Sequence, residues 1–317
     1  MDVIAIGETM ISLTPDQRGL MRNAASFMPR VAGAETNTLI GLSRLGHRTG
    51  WISRLGEDEL GAKILKEVRG EGVDTSLVEL DDKNSTGTFF KEIVNESDVR
   101  VYYYRKDSAA SHMSPSFLNE AYIAKASYLY LSGVTPAISS SCRETVFHAI
   151  ELAKRNDVKV VFDPNVRRKL WSEKEAKETL TKIIRQSDIV LPGISEGEFL
   201  FGSREEKEIG QACIELGAKL AVVKLGEKGA YYTSEQEERH VPAYSVSDVV
   251  DPIGAGDAFA AGLLSGLLDG ISIKGAVERA CWIGAVATMV TGDYEGLPDR
   301  KQLNQQTSPG NKEDVSR

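Results

Sequence analysis

The sequence predicts an α/β fold in which helices flank a doubly wound, mostly parallel β-sheet. Three observations support this fold class. Short, nearly continuous apolar runs recur along the 317 residues, which is typical of strands covered by helices on both faces. Amphipathic stretches of helical period separate those runs. One β-rich segment interrupts the alternation and predicts a small second sheet.

The predicted strands of the main sheet are rich in Val, Ile and Leu, and comprise residues 3–6, 127–131, 158–162, 188–191 and 220–224. The predicted amphipathic helices comprise residues 35–45, 59–69, 143–155, 173–185 and 206–216. Two further helices, at 256–269 and 274–290, are rich in small residues and should pack closely. Such alternation of strands and helices predicts parallel β-α-β units.

The second sheet is predicted from residues 11–31 and 86–105. Residues 88–94 and 99–104 are β-rich and are joined by Asn-Glu-Ser-Asp, which indicates a hairpin. Such a sheet could act as a lid that covers a site and excludes water, or it could be an edge hairpin without a role. We therefore expect one domain over residues 1–303 with these lid segments inserted. The polar tail, 304–317, is expected to be disordered.

Composition excludes several classes of function. Lys and Arg total 38 and Asp and Glu total 46, giving a net charge of −8, which argues against binding to nucleic-acid phosphates. No window approaches the about 20 apolar residues of a membrane span, and the first residues lack the basic stretch of a secretory signal. The three cysteines and four histidines are scattered without zinc spacing. We expect a cytoplasmic protein with small-molecule partners, without nucleic acid or membrane.

The most informative segment is 251–257, Asp-Pro-Ile-Gly-Ala-Gly-Asp, at the start of a small-residue helix. Gly254, Ala255 and Gly256 would let a ligand approach the backbone, and the free N–H groups of a helix start favour an anion. Asp257 could take a proton from a hydroxyl while those N–H groups hold charge on a phosphoryl group. The alternative is that Asp257 only caps the helix.

This segment resembles the carboxy-terminal signature of the PfkB or ribokinase-like carbohydrate kinases. The amino-terminal signature is resembled by residues 32–37, Ala-Gly-Ala-Glu-Thr-Asn, and 51–58, Trp-Ile-Ser-Arg-Leu-Gly-Glu-Asp. The resemblance covers about residues 3–298. It implies a ribokinase-like fold with a β lid, and ATP-dependent phosphoryl transfer to a sugar hydroxyl. ATP and Mg²⁺ are the implied cofactors, and a requirement for a monovalent cation is left open.

The resemblance also implies roles for individual residues. Asp257 resembles the catalytic base, with the backbone of residues 254–256 as the anion hole, and Asp251 could hold a sugar hydroxyl. The ATP-binding positions that the resemblance implies are Ser195, Lys224, Gly226, Gly229, Gly254 and Gly256. Glu196 stands where the family carries a Glu that acts on metal through water.

The end of one predicted strand suggests which sugar is bound. Asp163, Asn165 and Arg167 follow residues 158–162, and ligands of open α/β sheets bind outside the carboxyl ends of the strands. Arg167, together with Arg105 on the lid, exceeds what a neutral sugar needs, whereas a carboxylate binds guanidinium bidentately. Either arginine could instead bind ATP phosphates or lie in solvent.

Within the family, the motifs resemble the 2-dehydro-3-deoxygluconokinases, which phosphorylate 2-keto-3-deoxygluconate at its terminal hydroxyl. The substrate-binding positions then comprise Gly33, Ala34, Asn37, Phe89, Tyr103, Arg105, Asp163, Asn165, Arg167, Asp251 and Asp293. The alternatives are a fructokinase or other neutral-sugar kinase, a non-catalytic sugar-binding regulator and an NAD-binding oxidoreductase. We expect a homo-oligomer, because exposed lid edges need covering.

Overall fold

The computed structural model describes residues 1–95 and 98–307. Its strands, numbered in chain order, are β1 (Val3–Ile6), β2 (Met10–Pro15), β3 (Phe27–Ala32), β4 (Thr49–Gly56), β5 (Asp74–Asp81), β6 (Thr88–Asn95), β7 (Asp98–Tyr104), β8 (Tyr128–Ser132), β9 (Lys159–Asp163), β10 (Ile189–Val190), β11 (Leu220–Lys224), β12 (Ala230–Ser234) and β13 (Glu238–Val241). Its α-helices are α1 (Ala34–Arg44), α2 (Glu59–Gly70), α3 (Glu120–Ile123), α4 (Thr135–Ile138), α5 (Ser140–Arg155), α6 (Glu173–Ile184), α7 (Ile194–Phe201), α8 (Glu206–Glu215), α9 (Ala255–Leu268), α10 (Ile273–Ala287) and α11 (Arg300–Thr307).

The main sheet has the order β13-β12-β11-β10-β9-β8-β1-β4-β5. All neighbours from β11 to β5 are parallel, whereas β12 and β13 are antiparallel. The predicted doubly wound fold is therefore confirmed, and all five predicted strands are present. Four other strands of this sheet, β4, β5, β12 and β13, were not predicted because polar residues interrupt their apolar runs.

The core lies on both faces of this sheet. Side chains alternate between the two faces along a strand, so that Ala5 and Tyr130 pack with α1, α9 and α10. Ile4 and Leu129 instead pack with α5 and α6. This double burial explains the nearly continuous apolar runs of the central strands.

Helices α9 and α10 approach each other closely, as predicted. A Cβ on Gly262 would lie 2.7 Å from Ala280 Cα, and a Cβ on Gly266 would lie 2.6 Å from Ala276 Cα. Only glycine fits at these crossings. Helix α10 ends at Ala287, three residues before the predicted end.

The predicted small sheet is also present, with the order β3-β2-β6-β7. Strand β2 pairs antiparallel with β3 and parallel with β6, and β6 pairs antiparallel with β7. Both predicted lid segments contribute strands to it, and we call this sheet the lid. Of the predicted turn at 95–98, residues 96 and 97 lie outside the described residues.

The carboxy-terminal helix α11 includes the first four residues of the predicted disordered tail, 304–307, which corrects that boundary. Asp299 and Gln302 cap the helix reciprocally, because each backbone N–H donates to the other's side chain at 2.9 and 2.8 Å. Leu303 is buried against the main core. Residues 308–317 lie outside the described residues. No helix in the described ranges is long and apolar enough to cross a membrane.

Candidate active site

A cleft of about 360 Å³ lies between the carboxyl ends of the central strands, the start of α9 and the inner face of the lid. Its position is the one expected for ligands of an open α/β sheet. The predicted site residues that line it are Gly33, Ala34, Asn37, Phe89, Tyr103, Arg105, Asp163, Asn165, Arg167, Glu196, Lys224, Gly254, Gly256, Asp257 and Asp293. The fold thus brings together residues that lie up to 260 positions apart in the chain.

Asp257 lies in the first turn of α9 and is only 8% exposed. Asn37 Nδ2 donates a hydrogen bond to its Oδ2 at 2.8 Å. Burial raises the pKa of Asp257 well above its usual range, and although the Asn37 hydrogen bond lowers it, the nearby Asp163 and Asp293 raise it further. Gly254 is the N-cap of α9, and the carboxylate of Asp257 accepts from Asn37 rather than from a backbone N–H at the start of the helix. Asp257 is a buried carboxylate facing a cleft, which suits a general base.

The turn before α9 requires glycine. Gly254 has φ +81°, and a Cβ there would lie 2.1 Å from the Asp293 carbonyl oxygen. The first N–H groups of any helix lack partners within it, and those of α9 receive no side-chain cap. Gly254 and Gly256 line the cleft, so their backbone faces a ligand. This arrangement suits an anion at the helix start.

A half-buried ion pair joins the ends of two central strands beside this turn. Lys224 Nζ donates to Asp163 Oδ2 at 2.5 Å. Burial raises the pKa of Asp163 to about 6, although Lys224 opposes the shift. Burial lowers the pKa of Lys224, but Asp163 and Glu196 outweigh this, so the net shift is upward. Lys224 Nζ would lie 3.7 Å from a Cβ on Gly256 and therefore supplies a positive charge at the start of α9.

Glu196 is held by two backbone groups near the same strand ends. Its Oε2 accepts from Gly193 N at 2.6 Å and its Oε1 from Val166 N at 3.0 Å. Within the described ranges, no three His, Cys, Asp or Glu side chains group as metal ligands. A magnesium ion usually keeps waters and binds one or two carboxylates together with substrate phosphates, so the residues present fit that mode.

The lid contributes aromatic and basic side chains. Phe89 and Tyr103 are directly paired across β6 and β7, with ring centroids 5.9 Å apart. Arg105 is 6% exposed, forms an ion pair with Glu8, and lies 5.4 Å from the Tyr103 ring. Its buried Nε has no hydrogen-bond partner in the structure. Arg105 therefore lines the cleft with one buried donor unused.

Arg167 and Asp293 complete the predicted set at the cleft. Arg167 is exposed and lines the cleft. Burial raises the pKa of Asp293 to about 6, whereas Lys91 and Arg167 act to lower it. The loop after β9 brings Arg167 to the cleft through Asn165, whose φ is +34°. Two guanidinium groups thus reach one cleft from different segments.

Five predicted site residues do not line the cleft. Ala255, Ser195, Gly226 and Gly229 are absent from its lining, and the two glycines form the turn between β11 and β12 with φ of +60° and +96°. Asp251 lies beneath the turn, where its carboxylate accepts from Lys91 Nζ at 2.7 Å. Its carboxylate thus has a protein partner on the lid.

Two cleft carboxylates, Glu8 and Glu35, were missed from the sequence. Glu35 accepts hydrogen bonds from Ser132 and Thr135, both at 2.7 Å, and burial raises its pKa. A Cβ on Gly7 would lie 2.1 Å from the Glu35 carboxylate carbon, so glycine is needed there. The Gly-Glu pair directly after β1 was the available signal, because it follows a buried strand just as Asp163 does.

Comparisons with known proteins give one consistent result. The model of the pfkB family of carbohydrate kinases matches residues 1–300. The 2-dehydro-3-deoxygluconokinase of Bacillus subtilis is 38% identical over 305 residues, or 96% of this chain and 94% of that protein. The 5-dehydro-2-deoxygluconokinase of Bacillus licheniformis is 33% identical over 312 residues, or 96% and 95%.

Solved structures are similar over the same length. That of a PfkB protein from Polaromonas sp. JS666 has a TM-score of 0.88 and 41% identity, and the match covers 96% of this chain and 99% of that one. A putative ribokinase II of E. coli, in complex with ATP and Mg²⁺, has a TM-score of 0.90 and 25% identity, with coverage of 96% and 98%.

Proposed function

Since the chain belongs to the pfkB family of carbohydrate kinases, and is therefore a sugar kinase, we propose that it phosphorylates 2-dehydro-3-deoxygluconate. The terminal hydroxyl would receive the γ-phosphoryl group of ATP, giving the 6-phosphate. The observation that carries the proposal is a buried carboxylate, Asp257, in the same cleft as two arginines. The carboxylate supports phosphoryl transfer, and the two arginines support an acidic sugar.

The proposed chemistry uses Asp257 as the general base. Its carboxylate takes the proton of the terminal hydroxyl as that oxygen attacks the γ-phosphorus and the bond to the leaving oxygen of ADP breaks. The raised pKa makes Asp257 a stronger base than an exposed aspartate. Backbone N–H groups at Gly254 to Gly256, with Lys224, would hold the charge of the transferred group.

The proposed nucleotide site lies at the ends of β9 to β11. Lys224 would bind ATP phosphate, and the turn containing Gly226 and Gly229 lies directly after it in the chain. Glu196 is the proposed outer ligand of Mg²⁺ through water. When bound with ATP, Mg²⁺ supplies charge neutralisation on the phosphates. Ser195 is exposed and outside the cleft lining, so we assign it no contact.

The proposed sugar site lies beneath the lid. Arg105 and Arg167 would bind the substrate carboxylate, and a guanidinium fork fits a carboxylate better than a neutral hydroxyl. Phe89, Tyr103, Gly33, Ala34 and Asn37 would surround the carbon chain. Glu8 keeps Arg105 in place, because the two form a buried ion pair.

A second candidate substrate is 5-dehydro-2-deoxygluconate, because several relatives of about 31–33% identity carry that name. It is also a sugar acid, so the two arginines do not separate the candidates. Fructose remains the neutral-sugar alternative. The assay compares kcat/KM for 2-dehydro-3-deoxygluconate, 5-dehydro-2-deoxygluconate and fructose at saturating ATP. A preference for either of the last two would overturn the proposal.

We also propose that the chain forms a homo-oligomer through its lid. Strands β3 and β7 are the edges of the lid sheet, and Tyr102 and Tyr104 are 41% and 65% exposed on the face away from the cleft. Exposed edges favour pairing with another chain. Sedimentation equilibrium tests this, and a monomer at micromolar concentration would contradict it.

A further inference from the structure

Lys91 of the lid forms a buried ion pair with Asp251. The side chain of Lys91 points from β6 toward the main domain, and its Nζ lies 2.7 Å from Asp251 Oδ2. Lys91 is 5% exposed and Asp251 is 6% exposed. Burying such a pair gains little stability over an apolar replacement. Its position is therefore more informative than its energy.

Asp251 connects three segments at the cleft. Its Oδ1 accepts from Ile253 N at 3.2 Å, within the turn that leads to Gly254. Its Oδ2 accepts from Gly292 N at 3.4 Å as well as from Lys91. One carboxylate thus touches the lid, the glycine turn and the loop that carries Asp293.

The glycine turn and the loop that carries Asp293 are in contact with each other. A Cβ on Gly254 would lie 2.1 Å from the Asp293 carbonyl oxygen, so the two backbones touch. The backbone of Asp251 is itself held by Thr288 O, which accepts from Asp251 N at 3.0 Å. A shift of the Asp251 carboxylate would consequently move both Gly254 and Asp293.

We propose that Lys91 is a positioning residue for phosphoryl transfer. Its ammonium holds the Asp251 carboxylate, and through it sets the glycine turn against the lid. The turn then presents its N–H groups correctly only while the lid lies over the cleft. This inference rests on the proposed function only in requiring phosphoryl transfer to a sugar.

The test is a double-mutant cycle on kcat. Lys91→Met and Asp251→Asn are each expected to lower kcat by about 10-fold to 100-fold, because small misplacement of reacting groups has effects of this size. The double variant is expected to be no slower than the slower single variant, because either change alone already removes the pair. The KM for ATP should change less than about 3-fold, since Lys224 is untouched.

A matched control exists in a second lid contact. Arg30 of β3 and Glu295 form an ion pair at 3.3 Å, about 30% exposed, between the lid and the same carboxy-terminal loop. Arg30→Met should change kcat by less than about 2-fold, as expected of an exposed pair. The proposal would be overturned if Arg30→Met lowered kcat as much as Lys91→Met does. It would also be overturned if the losses of kcat in Lys91→Met and Asp251→Asn multiplied in the double variant.

Two further measurements separate positioning from loss of folding. Lys91→Arg keeps the charge but places a larger, planar head in a buried site, and should lower kcat less than Lys91→Met does. In Lys91→Ala, added ethylammonium should restore part of kcat, whereas tetramethylammonium, which has no N–H, should not. If Lys91→Arg does not retain activity and ethylammonium does not restore kcat to Lys91→Ala, the proposal is overturned. All assays use the sugar that the wild-type enzyme phosphorylates fastest, so a wrong substrate assignment would leave this test intact.

Discussion

The floor of the cleft and its lid differ in the charged side chains that they carry. The floor presents the buried Asp163 and Asp257 and the half-buried Asp293, whose pKa values are all raised by burial, together with a cation, Lys224. The lid region presents two buried cations, Lys91 and Arg105, each paired with a carboxylate from outside the lid. The floor thus carries most of the acids of the cleft, whereas the basic side chains of the lid are already paired. Under the proposed function the chemical step belongs to the floor, and Arg105 from the lid region and Arg167 from the loop after β9 share the binding of the sugar.

The largest effect is expected on the floor, at Asp257. Asp257→Asn should lower kcat by about 100-fold or more, because it removes the only proposed base. ATP affinity, measured by calorimetry, should change little. Asp58 provides a matched control, because it caps α2 by accepting from Gly61 N at 2.7 Å. Asp58→Asn should leave kcat unchanged, and a mild effect at Asp257 would return it to a structural role.

The next effect is expected where the arginines meet the sugar. Arg105→Ala and Arg167→Ala should each raise the sugar KM by about 10-fold to 150-fold, since each removes a charge-assisted hydrogen bond. The KM for ATP should be nearly constant. Arg168→Ala is the control, because Arg168 is exposed and does not line the cleft. A rise in the KM for ATP instead would move the arginines to the nucleotide phosphates.

A smaller effect is expected from one lid hydroxyl. Tyr103→Phe should lower kcat/KM for the sugar by about 10-fold, since a polar group of the bound sugar would lose its partner. Tyr104, the next residue, points away from the cleft and is 65% exposed, so Tyr104→Phe should have no effect. Equal kcat/KM values for the two variants would show that the Tyr103 hydroxyl does not contact the sugar.

The same comparison explains what could be predicted from the sequence. Floor residues follow buried strands or glycine turns, so local pattern pointed to Asp163 and Asp257 as residues of the cleft that they line. The role of Asp257 as a base came from the family resemblance. The ion pairs of the lid join residues 97 and 160 positions apart, Glu8 with Arg105 and Lys91 with Asp251. No local pattern reports such a pairing. The sequence accordingly offered Asp251 as a contact to sugar, and only the fold reveals its pairing with Lys91.

The smallest effect is expected on stability, at Asp293. Its pKa is raised to about 6 in the folded protein from the usual 3.8, so the folded state binds more protons than the unfolded chain between these values. Stability from this group is then fully present below about pH 4 and falls as the pH rises through 6. Asp293→Asn cannot ionise, and should therefore stabilise the protein at pH 7.5 by at most about 3 kcal/mol. At pH 4 the same substitution should change the free energy of unfolding little.

Thermal melting of Asp293→Asn at both pH values checks this prediction. The midpoint is expected to rise by a few degrees at pH 7.5, while kcat/KM for the sugar falls because a cleft carboxylate is lost. Asp248→Asn, at an exposed position, should change neither the melting midpoint nor kcat/KM. Equal midpoints for Asp293→Asn and wild type at pH 7.5 would mean that Lys91 and Arg167 already neutralise Asp293. The stability of the floor would then depend on Lys91 of the lid and on Arg167.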